Sequence, residues 1–292
     1  MKSRVNLHVH TKYSDGGKTV SEVVSELKDA GIEYFAITDH DNVDGSFEAA
    51  EYAEKFKMKH FNGIEFSCKF LHGEIGFDDS CGCHILGLGI KAEEMQKKQK
   101  EANESKSIKS RKLYELLIAD GYNLGPINDP TIKNIRKELI DKDYAADKKD
   151  CNKKILCDDK YRQYANLNMD VRTAIQTIKE YGGLAIWAHP FKAPGLRETK
   201  KLNEEQISEL LDLLCEYGLD GIEAYYHHSI GYYTEEQIRF LESLADSKKL
   251  LKSIGTDYHR RIDAEDKISF DVEGIIPDET IIATLESRME NK

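Results

Sequence analysis

The sequence predicts an α/β fold on three observations: short β-rich runs recur along the chain, helix-length amphipathic stretches separate most of them, and one charged segment breaks the alternation. Strands that alternate with helices make a mostly parallel sheet covered on both faces. Closed on itself, with seven candidate strands, such a sheet is a distorted TIM-like (β/α)7 barrel.

The candidate strands are RVNLHVH (Arg4 to His10), YFAITDH (Tyr34 to His40), HFNGIEFSC (His60 to Cys68), CHILGLGI (Cys83 to Ile90), GLAIWAHP (Gly183 to Pro190), GIEAYYHH (Gly221 to His228) and LKSIGTDYH (Leu251 to His259). Helical patterns fall at Val20 to Ala30, opening at Thr19, and at Phe47 to Phe56, Val171 to Tyr181, Glu204 to Tyr217 and Glu235 to Ser247. Gly31 and Gly182 close two of them, as C-terminal caps often do. From Ala92 to Met169 the chain is charged and helix-prone, with no convincing strand. Its periodic Leu113, Leu116 and Leu117 favour a small helical insertion over a disordered linker. The expected organisation is thus a barrel from 1–91 and 170–292 with the insertion at 92–169. An insertion after a barrel strand lies over the active-site face, where it would act as a lid.

Lys and Arg total 42 against 53 Asp and Glu, a net charge of −11 that repels duplex phosphate and argues against a general nucleic-acid-coating role. Hydrophobic residues at 40% suffice for a core, and charged residues at 33% are mixed in sign, which excludes global disorder. The N-terminal residues lack a secretory pattern, and no run approaches the roughly 18–20 apolar residues of a membrane helix. A cytoplasmic protein with no membrane partner is expected. Six scattered cysteines are expected to be reduced thiols. Cys81-Gly82-Cys83-His84, and Cys151 with Cys157, each lack the paired second half of a structural zinc site.

His8, His10, His40, His84, His189 and His259 all lie in or just after candidate strands, where a parallel barrel builds its active site. Residues two apart on a strand share a face, which brings His8 to His10 and Asp257 to His259. Asp15 and Glu65 add carboxylate oxygens, and a mixed N/O set of this kind suits divalent transition metals. Asp39 and Asp41, flanking His40, are read as groups orienting its imidazole. Ser14 and Tyr13, in the first loop, are candidates to touch phosphate or substrate. Trp187 and the Tyr225-Tyr226 and Tyr232-Tyr233 pairs are read mainly as packing.

Taken together, HVHTKYSDG (His8 to Gly16), ITDHD (Ile37 to Asp41), GIEFS (Gly63 to Ser67), HILGLGI (His84 to Ile90), WAHP (Trp187 to Pro190) and GTDYH (Gly255 to His259) resemble the motifs of the polymerase and histidinol phosphatase (PHP) superfamily of metal-dependent phosphoesterases. The resemblance spans nearly all the chain outside the insertion, and no ligand position is substituted. It implies that His8, His10, Glu65 and Asp257 surround one metal, that Glu65 bridges to a second held by His84 and His189, and that Asp15, His40 and His259 hold a third. Two or three divalent ions about 3.5–4 Å apart can generate hydroxide at neutral pH and clamp the attacking and leaving oxygens of a phosphoryl displacement. Manganese is the first expectation by resemblance, with zinc or iron as alternatives.

Arg111 resembles the position of a phosphate-contacting Arg in nucleotide-acting members, and His228 that of a substrate-facing His. After AHP those relatives commonly continue with Gly and Arg, whereas this chain reads Phe191-Lys192. The function expected is hydrolysis of a small phosphomonoester, a nucleoside monophosphate or 3′,5′-bisphosphate. A 5′-to-3′ exonuclease on short oligonucleotides ranks next, then histidinol phosphatase. A replication-associated binding module is expected less, since no polymerase palm follows the barrel.

Overall fold

The computed structural model describes residues 3–71, 73–76, 81–192, 202–228, 231–260, 267–269 and 278–290. The chain divides into two compact units, Met1–Gln96 with Met169–Lys292, and Lys97–Asn168.

The first unit carries nine strands among the described residues: β1 (Val5–Asn6), β2 (Tyr34–Ile37), β3 (Lys59–Lys69), β4 (Gly82–Leu88), β5 (Met169–Asp170), β6 (Leu184–Trp187), β7 (Gly221–His228), β8 (Gly231–Tyr232) and β9 (Leu251–Gly255). The main path runs β1-β2-β3-β4-β6-β7, with β9 beside β7. Leu7 N–H donates to Ile254 O at 3.0 Å, and a bridge joins Val9 to Tyr258, so β9 returns to the first strand and the sheet nearly closes into a barrel. β5 and β8, two residues each, pair with β3 and β7.

The sheet is mostly parallel, but β4 runs antiparallel to both β3 and β6, and the short β8 runs antiparallel to β7. A parallel pair needs a crossover connection, usually a helix. Residues 70–81 between β3 and β4 carry no helix among those described, and the chain turns back on itself.

Helices of this unit follow local chemistry. In α1 (Val20–Asp29), Thr19 and Glu22 form a reciprocal capping box, and Val20, Val23, Val24 and Leu27 supply the buried stripe. α2 (Asp44–Phe56) begins three residues before the apolar pattern does, because Asn42 Oδ1 accepts from Asp44 N–H and the first turn packs tightly inward at Gly45 and Ser46. The long α3 (Ala92–Ala119) leads from this unit into the second.

In the second unit, α4 (Ile132–Asp141), α5 (Lys148–Cys151), a π-helical turn (Asn152–Leu156) and α6 (Asp159–Ala165) follow α3. Leu113, Leu117, Leu124, Ile135, Leu139 and Leu156 form a core of its own, with Leu116 partly buried against it.

Back in the first unit, α7 (Val171–Glu180), α8 (Glu204–Glu216), α9 (Glu235–Lys248) and α10 (Asp278–Glu290) complete the described helices. Gly31 and Gly182 follow their helices at φ +83° and +77°, the left-handed conformation a C-terminal cap uses. Among the described residues, no helix is long and apolar enough to cross a membrane.

Candidate metal centre

The site lies at one end of the barrel. The segment after β1 alternates: Leu7 and Val9 enter the apolar core, while His8 and His10 face the barrel interior with ring centroids 5.1 Å apart, both buried. Glu65 lies on β3 and is joined by a bridge to His40 beyond β2. The reversed direction of β4 sets His84, near its beginning, opposite Ser67 near the far end of β3. His189 follows β6, and Asp257 and His259 follow β9.

Past those strand ends the backbone departs from extended geometry. Asp41, His189 and Asp257 have φ of 48°, 31° and 48°. Non-glycine residues held this way cost about 1–3 kcal/mol each and gather at functional sites. Asp257 and His259 therefore do not converge by strand alternation, as their spacing suggested; β9 ends at Gly255, and the left-handed turn at Asp257 does the aiming.

Three sets of potential ligand atoms, each within 4.8 Å, occur among the described residues: His8, His10, Glu65 and Asp257; His10, Asp15, His40 and His259; and His40, Glu65 and His84. His189 joins through Glu65, its Nε2 standing 3.3 Å from Oε1. All nine side chains that the sequence singled out as metal ligands are thus brought together. Glu65 is their hub. Its Oε2 lies 3.0 Å from His10 Nε2, 3.1 Å from His40 Nδ1 and 3.3 Å from His8 Nε2, and its Oε1 is 2.9 Å from His84 Nδ1.

Glu65 is fully buried, yet among the described residues neither carboxylate oxygen has a hydrogen-bond partner. His8 Nε2 and His10 Nε2 face one another at 3.1 Å. Burial opposes charge on His8, but Glu65, Glu223 and Asp257 raise its pKa well above the usual imidazole value. Burial opposes it on His10 too, yet Asp257 and Glu65 bring that residue to about 9. Burial instead pulls His40 down to about 4. Burial alone would raise Glu65, but His40, His8 and His84 hold it well below the carboxylate range. A pocket so arranged demands positive charge, as protons or as a cation, and its imidazole and carboxylate donors fit divalent transition metals.

Asp39 and Asp41 each accept hydrogen bonds from neighbouring segments. Asp39, buried, accepts from Thr11 N–H at 2.7 Å, Thr11 Oγ1 at 2.6 Å and Ser14 Oγ at 2.6 Å, and so braces the first loop. Asp41 accepts from Ser67 N–H at 3.2 Å. The Ser14 hydroxyl proton is therefore directed at a carboxylate rather than at a ligand. Tyr13 is 43% exposed, and its hydroxyl donates to Glu48. Arg111 is an exposed residue of α3 in the second unit. The side chain of His228 lies outside the described residues.

Three contributors escaped the sequence reading. Glu223, on β7, accepts from His8 and from the His189 backbone. Tyr226, expected to pack, donates to Asp257 Oδ2 at 3.0 Å. Lys192 Nζ donates to that same oxygen at 2.8 Å and to Tyr226 Oη at 3.1 Å. The Phe191-Lys192 departure was the visible signal for Lys192. The other two sit in GIEAYY, where a strand reads as apolar filling.

A nearly closed α/β barrel with a His, Asp and Glu cluster at one end is an architecture suited to a metal-dependent hydrolase. The chain belongs to the PHP domain family, which matches residues 6–274. It is 27% identical over 285 residues to a phosphoribosyl 1,2-cyclic phosphate 1,2-diphosphodiesterase of Eggerthella lenta, covering 91% of this chain and 98% of that one. A 5′-3′ exoribonuclease of Haemophilus influenzae is 25% identical, covering 89% and 91%. A 3′,5′-nucleoside bisphosphate phosphatase of Chromobacterium violaceum is 26% identical, covering 88% and 87%. Among solved structures, an amidohydrolase of Chromobacterium violaceum superposes with a TM-score of 0.63 at 24% identity, covering 98% of this chain and 97% of that one, and shares the fold.

Proposed function

We propose that this enzyme hydrolyses a small phosphomonoester, a nucleoside monophosphate or 3′,5′-bisphosphate, with two or three divalent ions. The carrying observation is Glu65, a fully buried carboxylate without a hydrogen-bond partner among the described residues, ringed by imidazole nitrogens at 2.9–3.3 Å. His8, His10, Glu65 and Asp257 would hold one ion, Glu65 with His84 and His189 a second, and Asp15, His40 and His259 a third. Manganese is preferred, with zinc or iron as alternatives. Such ions supply Lewis acidity to phosphoryl oxygens and lower the pKa of water.

The protein's own groups do the rest. Asp39 fixes the loop that carries Asp15, and Tyr226 and Lys192 aim Asp257. The Lys192 side chain is 52% exposed beside that carboxylate, and its ammonium suits a substrate phosphate. The nucleotide reading draws support from the bisphosphate phosphatase relative, and the net charge of −11 favours a small substrate over long nucleic acid.

Phosphate release by manganese-loaded protein tests this, with adenosine 3′,5′-bisphosphate, AMP, a phosphoribosyl cyclic phosphate, histidinol phosphate and a short 5′-phosphorylated RNA compared and His8→Ala as control. A mononucleotide preference is expected and makes Arg111 and His228 the next positions to vary. Preference for RNA, for the cyclic diester or for histidinol phosphate overturns the substrate assignment. Undiminished turnover by His8→Ala overturns the metal assignment.

A further inference from the structure

We infer that Glu223 is the positioning residue that sets His8 and His189 together for metal binding. The inference rests on the metal reading above and assigns a role to a residue outside the ligand sets. Glu223 is fully buried in the barrel interior, a place where an apolar side chain would cost less. Its two oxygens are used separately. Oε1 lies 3.0 Å from His8 Nδ1, and Oε2 accepts from the backbone N–H of His189 at 2.7 Å.

The first contact sets a tautomer. A carboxylate can only accept, so this contact calls for the His8 proton on Nδ1 and leaves Nε2, which stands 3.3, 3.1 and 3.5 Å from Glu65 Oε2, His10 Nε2 and Asp257 Oδ1, as the nitrogen that would coordinate a cation. The second contact holds a backbone. His189 sits at φ 31°, and the bond to its N–H fixes the bend that carries its Nε2 to 3.3 Å from Glu65 Oε1. One carboxylate thus aims two imidazoles that approach Glu65 from opposite oxygens.

Gly255, on β9, makes this contact possible. A Cβ there would stand 2.2 Å from Glu223 Oε1 and 2.2 Å from the His8 Cβ. The bare backbone at that position is the slot in which carboxylate and imidazole meet.

Glu223→Gln is nearly isosteric and separates aiming from filling. When its amide oxygen serves the His189 N–H, its NH2 faces His8 Nδ1 and demands a proton on Nε2, the atom needed for the metal. When the amide is flipped, two donors meet at His189. Metal-free wild-type and variant proteins are titrated with Zn2+ and with Mn2+, and unfolding of the metal-free forms is followed in parallel. Wild type is expected to bind, and the variant to bind about 10- to 100-fold more weakly. Equal affinities with a lowered unfolding midpoint would make Glu223 structural and overturn the inference. A wild type that takes up neither metal overturns the underlying reading instead. Should the variant not fold, 15N imidazole spectra of zinc-loaded wild type decide. A proton on His8 Nδ1 with Nε2 unprotonated is expected, and the reverse arrangement overturns the inference.

Discussion

Replacing Glu65 by Gln removes the one carboxylate shared by two of the three ligand sets while keeping its volume. The wild-type side chain has five imidazole nitrogens within 3.3 Å and no hydrogen-bond partner among the described residues, so its charge is the feature a cation would use. A ligand that binds only the folded state at 100 times its Kd stabilises it by about 2.7 kcal/mol. For a chain of this size each kcal/mol moves the unfolding midpoint by about 2–4 °C, so manganese at that excess should raise the wild-type midpoint by about 5–10 °C. Loss of a shared charged ligand is expected to weaken binding by about 100-fold, equivalent to about 2.7 kcal/mol. At the same metal concentration the variant then sits near its own Kd and gains only about 0.4 kcal/mol, or 1–2 °C. The assay is calorimetric unfolding of chelator-treated protein across a manganese series, with bound metal counted by elemental analysis. A Glu65→Gln protein that keeps the full wild-type shift and metal count would refute the reasoning.

Asp39→Ala leaves the buried Thr11 N–H and hydroxyl without their acceptor and should cost about 2–4 kcal/mol in denaturant unfolding, with faster amide exchange across Thr11 to Gly16; a change within about 0.5 kcal/mol would show that the loop holds itself. His60 offers a pH test away from the metal centre. Its Nε2 is sealed from solvent without a hydrogen-bond partner among the described residues, and burial lowers its pKa to about 4. The unfolded chain takes up this proton near pH 6.5 and the folded chain only near 4, so the contribution is complete above 6.5 and up to about 3 kcal/mol is lost as pH falls across that window. His60→Phe should flatten this acid limb by about one proton, and an unchanged slope would count against it.

Much of the fold is written locally. A strand needs only alternation and a helix only its stripe and cap, which is why Leu7 and Val9 face the core while His8 and His10 face the pocket, and why α1 starts at Thr19. The nine acidic and imidazole side chains were likewise legible, because each sits in or beside a short motif whose residue types are those of metal ligands. What the sequence could not decide is direction and partnership. The seven strand runs look alike whichever way they point, and only the folded chain shows β4 running antiparallel with His84 opposite Ser67. Glu223 meets His8 across 215 residues, through the slot at Gly255, and no local pattern distinguishes such a carboxylate from any other on a strand. The sequence by itself determined which groups the site contains and the elements that bear them, since these depend on neighbours along the chain. The tertiary structure alone decided strand direction, the left-handed bends at Asp41, His189 and Asp257, and which buried carboxylate aims which imidazole, because those follow from contacts between segments far apart in the chain.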